Sequence, residues 1–280
     1  MPGHVIVSDF DLGPSLLFCP ADRPDRFEKA SERADAVILD LEDAVRPADK
    51  SAARDALTSH PLDPSRTIVR VNPASTDDGV ADLDALNRTD YRWVMLPKAE
   101  SEADVAALGG RYRVIALCET AAGVLAAPEL ARLDAVAALM WGAEDLVASL
   151  GGTSSRRDDG SYRDVARHAR SRVLLAAGAA GIAAIDSVFL DIADLDGLRV
   201  EVTDAVASGF RATACIHPSQ VATIRTGYRP TTAQTEAATA LLAAAESAAG
   251  AFRFRGQMVD EPALRQARMT LEWSRKTVEK

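Results

Sequence analysis

Val37-Ile38-Leu39-Asp40-Leu41-Glu42-Asp43 is an apolar run that ends abruptly in acid. Aliphatic and β-branched residues lead into three carboxylates, the pattern of a buried strand that delivers charge to one end of a sheet. The same grammar returns at Trp93-Val94-Met95-Leu96-Pro97-Lys98, at Val114 to Thr120, and at Ala138 to Asp145. Such repetition confines the chain to a β/α barrel or a doubly wound sheet.

Read in order, the chain has eight strand-like runs. They are Ser15 to Pro20, the run at Val37, Thr67 to Asn72, Trp93 to Lys98, Val114 to Thr120, Ala138 to Asp145, Ala184 to Asp191 and Ala212 to Pro218. Helical segments separate them, so the expected fold class is α/β, a (β/α)8 TIM barrel with a C-terminal helical extension. A chain of 280 residues, 48% hydrophobic, is long enough for one such core. The expected boundaries are 13–227 for the barrel and 228–280 for an extension that covers the mouth or binds another subunit.

Finer expectations follow from local pattern. Residues before Gly13-Pro14 read as a poorly specified leader. Ser101 to Asp104 and Ser161 to Asp164 have capping-box spacing. Val80, Leu83 and Leu86 predict one buried helix stripe, and Val165, Ala169, Val173, Ala176 and Ala180 another. Thr120 to Gly123 reads as a tight turn with a short helix after Pro128, residues 151–160 as a long loop, and residues 250–256 as an irregular aromatic and basic link. Two further helices are expected, over 231–249 and from Pro262 to the end.

A formal charge of -9, from 32 basic and 41 acidic residues, argues against a nucleic-acid surface while leaving room for a local basic pocket. Cys19, Cys118 and Cys215 are scattered in apolar stretches, with neither a disulfide framework nor a zinc spacing. No stretch reaches the roughly 18 apolar residues of a membrane span. The expectation is a cytoplasmic protein without nucleic-acid or membrane partners.

Strand ends of a barrel converge on one face, which brings Glu119 and Asp145 from consecutive runs together. Two carboxylates supplemented by substrate oxygens and water suit Mg²⁺. Asp40 and Glu42 share one side of their strand by alternation, with Asp43 opposite, and read either as support for such a site or as ion-pair partners. Arg70, inside an apolar strand, is either their buried partner or a clamp for a carboxylate or oxyanion. Lys98 is a Schiff-base candidate or an ion-pair partner of Glu119 or Asp40, the latter favoured by the surrounding carboxylates. Arg23, Arg26 and Lys29 after the first run, and Arg156 and Arg157 in the long loop, suit a phosphate-bearing substrate such as a coenzyme A thioester, or a solvated face. His217 reads as a structural hydrogen-bonding residue.

The ordered set Ser15-Leu16-Leu17-Phe18-Cys19-Pro20, Leu39-Asp40-Leu41-Glu42-Asp43, Arg70-Val71-Asn72, Leu96-Pro97-Lys98, Glu119-Thr120-Ala121-Ala122-Gly123, Gly142-Ala143-Glu144-Asp145-Leu146, Cys215-Ile216-His217-Pro218 and Gly256 to Pro262 resembles the citrate lyase beta subunit-like branch of the HpcH/HpaI aldolase family. It looks closest to the stand-alone, actinobacterial type. The resemblance implies a TIM barrel that binds Mg²⁺ through Glu119 and Asp145 and cleaves or forms a carbon-carbon bond beside a thioester. Implied substrates are 3-hydroxyacyl-CoA thioesters of the citramalyl, malyl, citryl or 3-hydroxy-3-methylglutaryl type, with a keto acid as the other product. It also implies Asp260 as acid or base, supplied from a neighbouring subunit, Arg70 as oxyanion donor, and a homotrimer or hexamer. The alternatives are a malyl-CoA or citramalyl-CoA thioesterase, a malate-synthase-like activity, a citryl-ACP lyase subunit serving an acyl-carrier protein, and a non-catalytic partner protein.

Overall fold

The computed structural model describes residues 10–278 except 247 and 249. Two compact units divide at residues 224 and 225. In the first, β1 (Ser15–Pro20), α1 (Phe27–Arg33), β2 (Ala36–Asp40), α2 (Lys50–Ser59), β3 (Thr67–Arg70), α3 (Asp77–Leu86), β4 (Trp93–Leu96), α4 (Glu102–Ala106) and β5 (Arg113–Cys118) come first. Then follow α5 (Ala121–Leu130), β6 (Val136–Trp141), α6 (Ala143–Ser149), α7 (Asp164–Ala180), β7 (Ala183–Asp186), α8 (Leu195–Ser208) and β8 (Ala212–Cys215). Helix α9 (Val221–Tyr228) runs across the boundary.

The eight strands pair in sequence order, all parallel, and β8 returns to β1 through Leu16 opposite Ala214, closing the barrel. Parallel strands are covered on both faces, which is why they read as continuous apolar runs. Alternate residues Leu16, Ile38, Ile68, Met95, Ile115, Met140 and Ile185 fill the interior in layers, and their partners in the pleat pack under the helices. Every strand therefore aims its C-terminal residues at one mouth. That mouth carries the site.

The second unit contains α10 (Thr232–Ala245), β9 (Phe252–Phe254), β10 (Gln257–Val259) and α11 (Glu261–Val278). Thr231 caps α10 in a reciprocal box with Gln234. Among the described residues no helix is long and apolar enough to cross a membrane.

Several local expectations are corrected. Phe10 and Leu12, assigned to a leader, are buried in the barrel core, with Phe10 edge-on to Trp93 at 5.7 Å. On α3 the buried stripe is Gly79, Asp82, Ala85 and Leu86, leaving Val80 exposed. On α7 it is Ala166, Ala169, Val173, Ala176 and Ala177, so the face begins one residue later than Val165 and omits Ala180. Ser101 does cap α4, but Ser161 does not cap α7: its hydroxyl bonds Asp159, and Arg163 holds the cap position without a side-chain bond. Helix α5 begins directly after its Thr120 cap and contains Pro128 in its last turn. The supposed irregular link is a β-hairpin, turned at Arg255 and Gly256 with φ of 48° and 84°. Positive φ at both central residues is what a tight two-residue hairpin turn requires.

Candidate active site

A cavity of about 280 Å³ opens at the C-terminal mouth of the barrel. Its polar lining comes from Asp40, Arg70, Glu119, Glu144, Asp145 and Ser187, and its apolar wall includes Phe18, Leu117, Met140, Val188 and Ile216. All belong to the first unit. The sequence brought Asp40, Arg70, Glu119 and Asp145 forward as site residues, and the fold brings these four together.

Asp40 ends β2 and Arg70 ends β3, opposite one another in register. Arg70 Nε donates to Asp40 Oδ1 at 2.8 Å and Nη2 to Oδ2 at 2.6 Å, a two-pronged pair that fixes the guanidinium plane. The backbone N–H groups of Glu42 and Ala44 also donate to the Asp40 carboxylate, at 2.9 and 3.3 Å. Four donors thus converge on Asp40, and its role is to hold Arg70 and the turn after β2. Phe18 lies beneath the guanidinium, 4.9 Å from its centre. Burial works against the Arg70 charge, yet Asp40, Glu42 and Glu119 outweigh it and keep its pKa raised. Arg70 presents a permanent positive charge.

Glu42 stands behind the cavity wall. Its Oε1 accepts from Lys98 Nζ at 2.5 Å, while Oε2 lies 3.1 Å from Arg70 Nη1 without an aligned hydrogen bond. Desolvation raises its pKa against the pull of Arg70 and Lys98. Lys98 has φ of 49°, a backbone conformation uncommon for a residue with a side chain. There its N–H donates to Glu119 Oε1 at 3.1 Å, and its ammonium sits 3.9 Å from the same oxygen and 3.5 Å from Asp43. Lys98 therefore joins Glu42 to Glu119. Strand alternation predicts Asp43 to face away, but β2 ends at Asp40, and beyond it the chain turns, so Asp43 comes within reach of Lys98.

Glu119 follows β5 and is only 3% exposed. Burial, then the nearby Asp145 and Glu42 carboxylates, push its pKa up to about 8, with Lys98 and Arg70 opposing. Gly142 gives it room: a Cβ there would stand 2.9 Å from Glu119 Cβ and 3.0 Å from Oε2. Asp145 projects from the first turn of α6, directly after β6. Among the described residues no group of three or more His, Cys, Asp or Glu side chains forms a metal cage. The donor set instead fits a hard dication that takes two carboxylates and completes its shell with ligand oxygens and water. Such a cation would offset both the burial and the carboxylate repulsion that raise Glu119.

The remaining sequence candidates lie elsewhere. Arg23 is gripped through two 2.9 Å bonds by Asp25, Arg26 is exposed on the same β1–α1 connection, and Lys29 is exposed on α1. Arg156 pairs with Glu201 of α8, and Arg157 with Asp164 at 3.0 Å. His217 is structural, accepting the Ser219 N–H at the start of a 3₁₀ turn. Asp260 is exposed in the second unit, immediately before α11. The three cysteines are buried thiols, with burial raising Cys19 to about 11 and Cys118 to about 12.

Sequence reasoning missed the polar frame behind the mouth. Fully buried Asp82 accepts from Asn72 N–H and Nδ2, at 2.8 and 2.7 Å, and from Arg54 Nε at 2.6 Å. Asn72 Nδ2 also donates to the Leu41 carbonyl at 3.0 Å, and Lys50 donates to Asn72 Oδ1. This ties the β2 and β3 exits together beneath Arg70. On the far side, Asp186 accepts the Trp141 indole N–H at 2.6 Å and both prongs of Arg170. The one available signal was the Arg70-Val71-Asn72 run, whose Asn72 follows the strand as a polar residue between apolar segments.

A closed β/α barrel with two carboxylates, a fixed arginine and a lysine at its C-terminal mouth defines a barrel with a site built for oxygen-rich, anionic ligands. Comparison with known proteins places it further: residues 14–218 match HpcH/HpaI aldolase/citrate lyase, and the chain belongs to that family. The citrate lyase subunit beta-like protein of Mycobacterium tuberculosis is 57% identical over 259 residues, covering 92% of this chain and 94% of the relative. The crystal structure of CitE from Mycobacterium tuberculosis with magnesium, acetoacetate and coenzyme A superposes with a TM-score of 0.91 at 56% identity, covering 94% of this chain and 98% of that one. The mitochondrial citramalyl-CoA lyase of Homo sapiens is 31% identical over 293 residues, with 92% and 84% covered.

Proposed function

We propose that the protein is a Mg²⁺-dependent carbon-carbon lyase acting on 3-hydroxyacyl-CoA thioesters of the citramalyl, malyl, citryl or 3-hydroxy-3-methylglutaryl type. The observation that carries the reading is buried Glu119, raised to about 8 beside Asp145 and facing a cavity that Arg70 also lines. The magnesium, acetoacetate and coenzyme A bound by the 56% identical CitE, and the human citramalyl-CoA lyase, support it.

Glu119 and Asp145 hold the metal, which when bound supplies a Lewis acid for oxygens of the substrate. A base takes the proton of the 3-hydroxyl, the bond between carbons 2 and 3 breaks, and its electron pair passes into a thioester enolate as the keto acid forms. Protonation of the enolate carbon then completes the acyl-CoA product. Arg70, locked by Asp40, offers its positive charge to the developing oxyanion without reorganising. Glu42 and Lys98 keep Arg70 and Glu119 in place. The apolar wall of Phe18, Leu117, Met140, Val188 and Ile216 lowers the local dielectric and strengthens each of these interactions. Asp260 is assigned the proton transfer, delivered by the second unit of a neighbouring copy in a trimer or hexamer. Arg26 and Lys29, with Arg23, receive the coenzyme A phosphates.

The test is turnover of purified protein on a panel of these thioesters, following release of acyl-CoA and keto acid. Cleavage should require Mg²⁺, vanish with a chelator, and fall at least ~100-fold in Glu119→Gln and in Asp145→Asn. Release of free coenzyme A without a shorter acyl-CoA would establish a thioesterase instead. Wild-type turnover in both variants would remove the metal assignment.

A further inference from the structure

Glu144 lines the cavity one residue before Asp145, in the first turn of α6, and its carboxylate is tethered from outside that helix. Glu144 Oε1 accepts a 2.5 Å bond from the hydroxyl of Ser155, which is itself 1% exposed. Helix α6 is seven residues long and its Gly142 cap offers no side-chain acceptor. Its buried Ala143, Leu146 and Val147 seat the helix, but no capping side chain holds its first turn, so an outside tether adds to what fixes that turn.

Ser155 is held rigidly enough to serve. The segment 154–163 folds back on itself through the bridge between Arg156 and Tyr162, with Arg157 N–H donating to Ser161 O and Arg163 N–H to Ser155 O, each at 2.8 Å. Arg156 clamps it to the barrel: it pairs with Glu201 on α8 and lies 3.9 Å over the Tyr162 ring and 5.1 Å over that of Phe189. Tyr162 in turn meets Trp141 edge to face at 5.2 Å, and the Trp141 indole is pinned to Asp186. The frame reaches from the end of β6 to α8.

We propose that Ser155 is a positioning residue, which fixes Glu144 and, through the first turn they share, sets the approach of Asp145 to Glu119. The proposal rests on the reading of Glu119 and Asp145 as a Mg²⁺ site. Groups bonded directly to metal ligands change metal affinity by about 10- to 100-fold when removed, and Ser155, bonded to the residue before the ligand, belongs at the low end of that range. The hydroxyl, rather than bulk at position 155, carries the effect, so threonine should replace serine and alanine should not.

Calorimetric titration of Mg²⁺ into the metal-free full-length protein decides it. Ser155→Ala should weaken Mg²⁺ binding about ten-fold, Ser155→Thr should restore it to within about two-fold, and Ser155→Ala should add little in a Glu144→Ala background. Arg156→Lys, which loosens the frame while keeping the positive charge that Glu144 feels, should weaken binding in the same direction and keeps the question open to measurement if Ser155→Ala fails to fold. A lowered melting temperature with Mg²⁺ affinity within two-fold of wild type in Ser155→Ala or Arg156→Lys would overturn the proposal, leaving Ser155 a structural residue. Wild-type protein that binds Mg²⁺ while Ser155→Ala binds it equally well sinks this inference alone; wild-type protein that binds none sinks the lyase reading with it.

Discussion

Replacing Glu119 by glutamine should stabilise the metal-free protein at high pH and leave it nearly unchanged at low pH. The pKa of Glu119 is raised from 4.5 to about 8. A raised folded-state pKa means the folded protein holds the proton more tightly than the unfolded chain, so the stability it contributes is complete below about 4.5 and is lost as pH climbs through 8. At one pH unit per about 1.4 kcal/mol, the buried carboxylate costs on the order of 3–5 kcal/mol once ionised. Glutamine keeps an oxygen to accept the Lys98 N–H and carries no charge to desolvate. Urea unfolding in chelator should therefore give curves for wild type and Glu119→Gln that nearly coincide near pH 5 and separate by several kcal/mol at pH 9, the variant being the more stable. Mg²⁺ at a hundred times the dissociation constant should narrow the gap at pH 9, since only wild type gains about 2.7 kcal/mol. A gap that is independent of pH, or that favours wild type in chelator at pH 9, would refute the burial argument.

Arg70→Met should destabilise the protein by about 3–5 kcal/mol, measured by the same unfolding assay, because Asp40 and Glu42 would be left buried without their partner. Arg70→Lys restores the charge but cannot reproduce the two-pronged pair, so turnover should still fall ~100-fold. Asn72→Ala should cost about 2–4 kcal/mol by stripping partners from Asp82 and Lys50, with the change read in the urea midpoint. Gly142→Ala drives a methyl group against Glu119 and should weaken Mg²⁺ about ten-fold by calorimetry.

The barrel was legible because buried parallel strands cannot hide their composition: each of the eight apolar runs overlaps the strand that the fold places there, with β2, β5, β6 and β7 beginning one or two residues earlier. The site residues were legible for the same reason, since Asp40, Glu119 and Asp145 stand where an apolar segment gives way to acid and Arg70 interrupts one. Helix faces were harder. Asp82 reads as a surface residue and becomes core only through Asn72 and Arg54, which lie 10 and 28 positions away and carry no local mark. Ser155 sits among turn formers and is buried only because the 154–163 segment folds against Trp141 and α8. Residues 250–256 read as a link in the sequence because the three-residue strands of the hairpin they enter leave too little alternation to detect.

The central claim is that Glu119 and Asp145 hold a divalent cation at the barrel mouth. An anomalous-difference map from a crystal grown with Mn²⁺ in place of Mg²⁺ tests it most directly. A single strong peak is expected in the cavity, with a carboxylate oxygen of each residue roughly 2.0–2.3 Å away. A peak on other residues, or an empty cavity in a crystal of protein that still turns over with Mn²⁺, would contradict it.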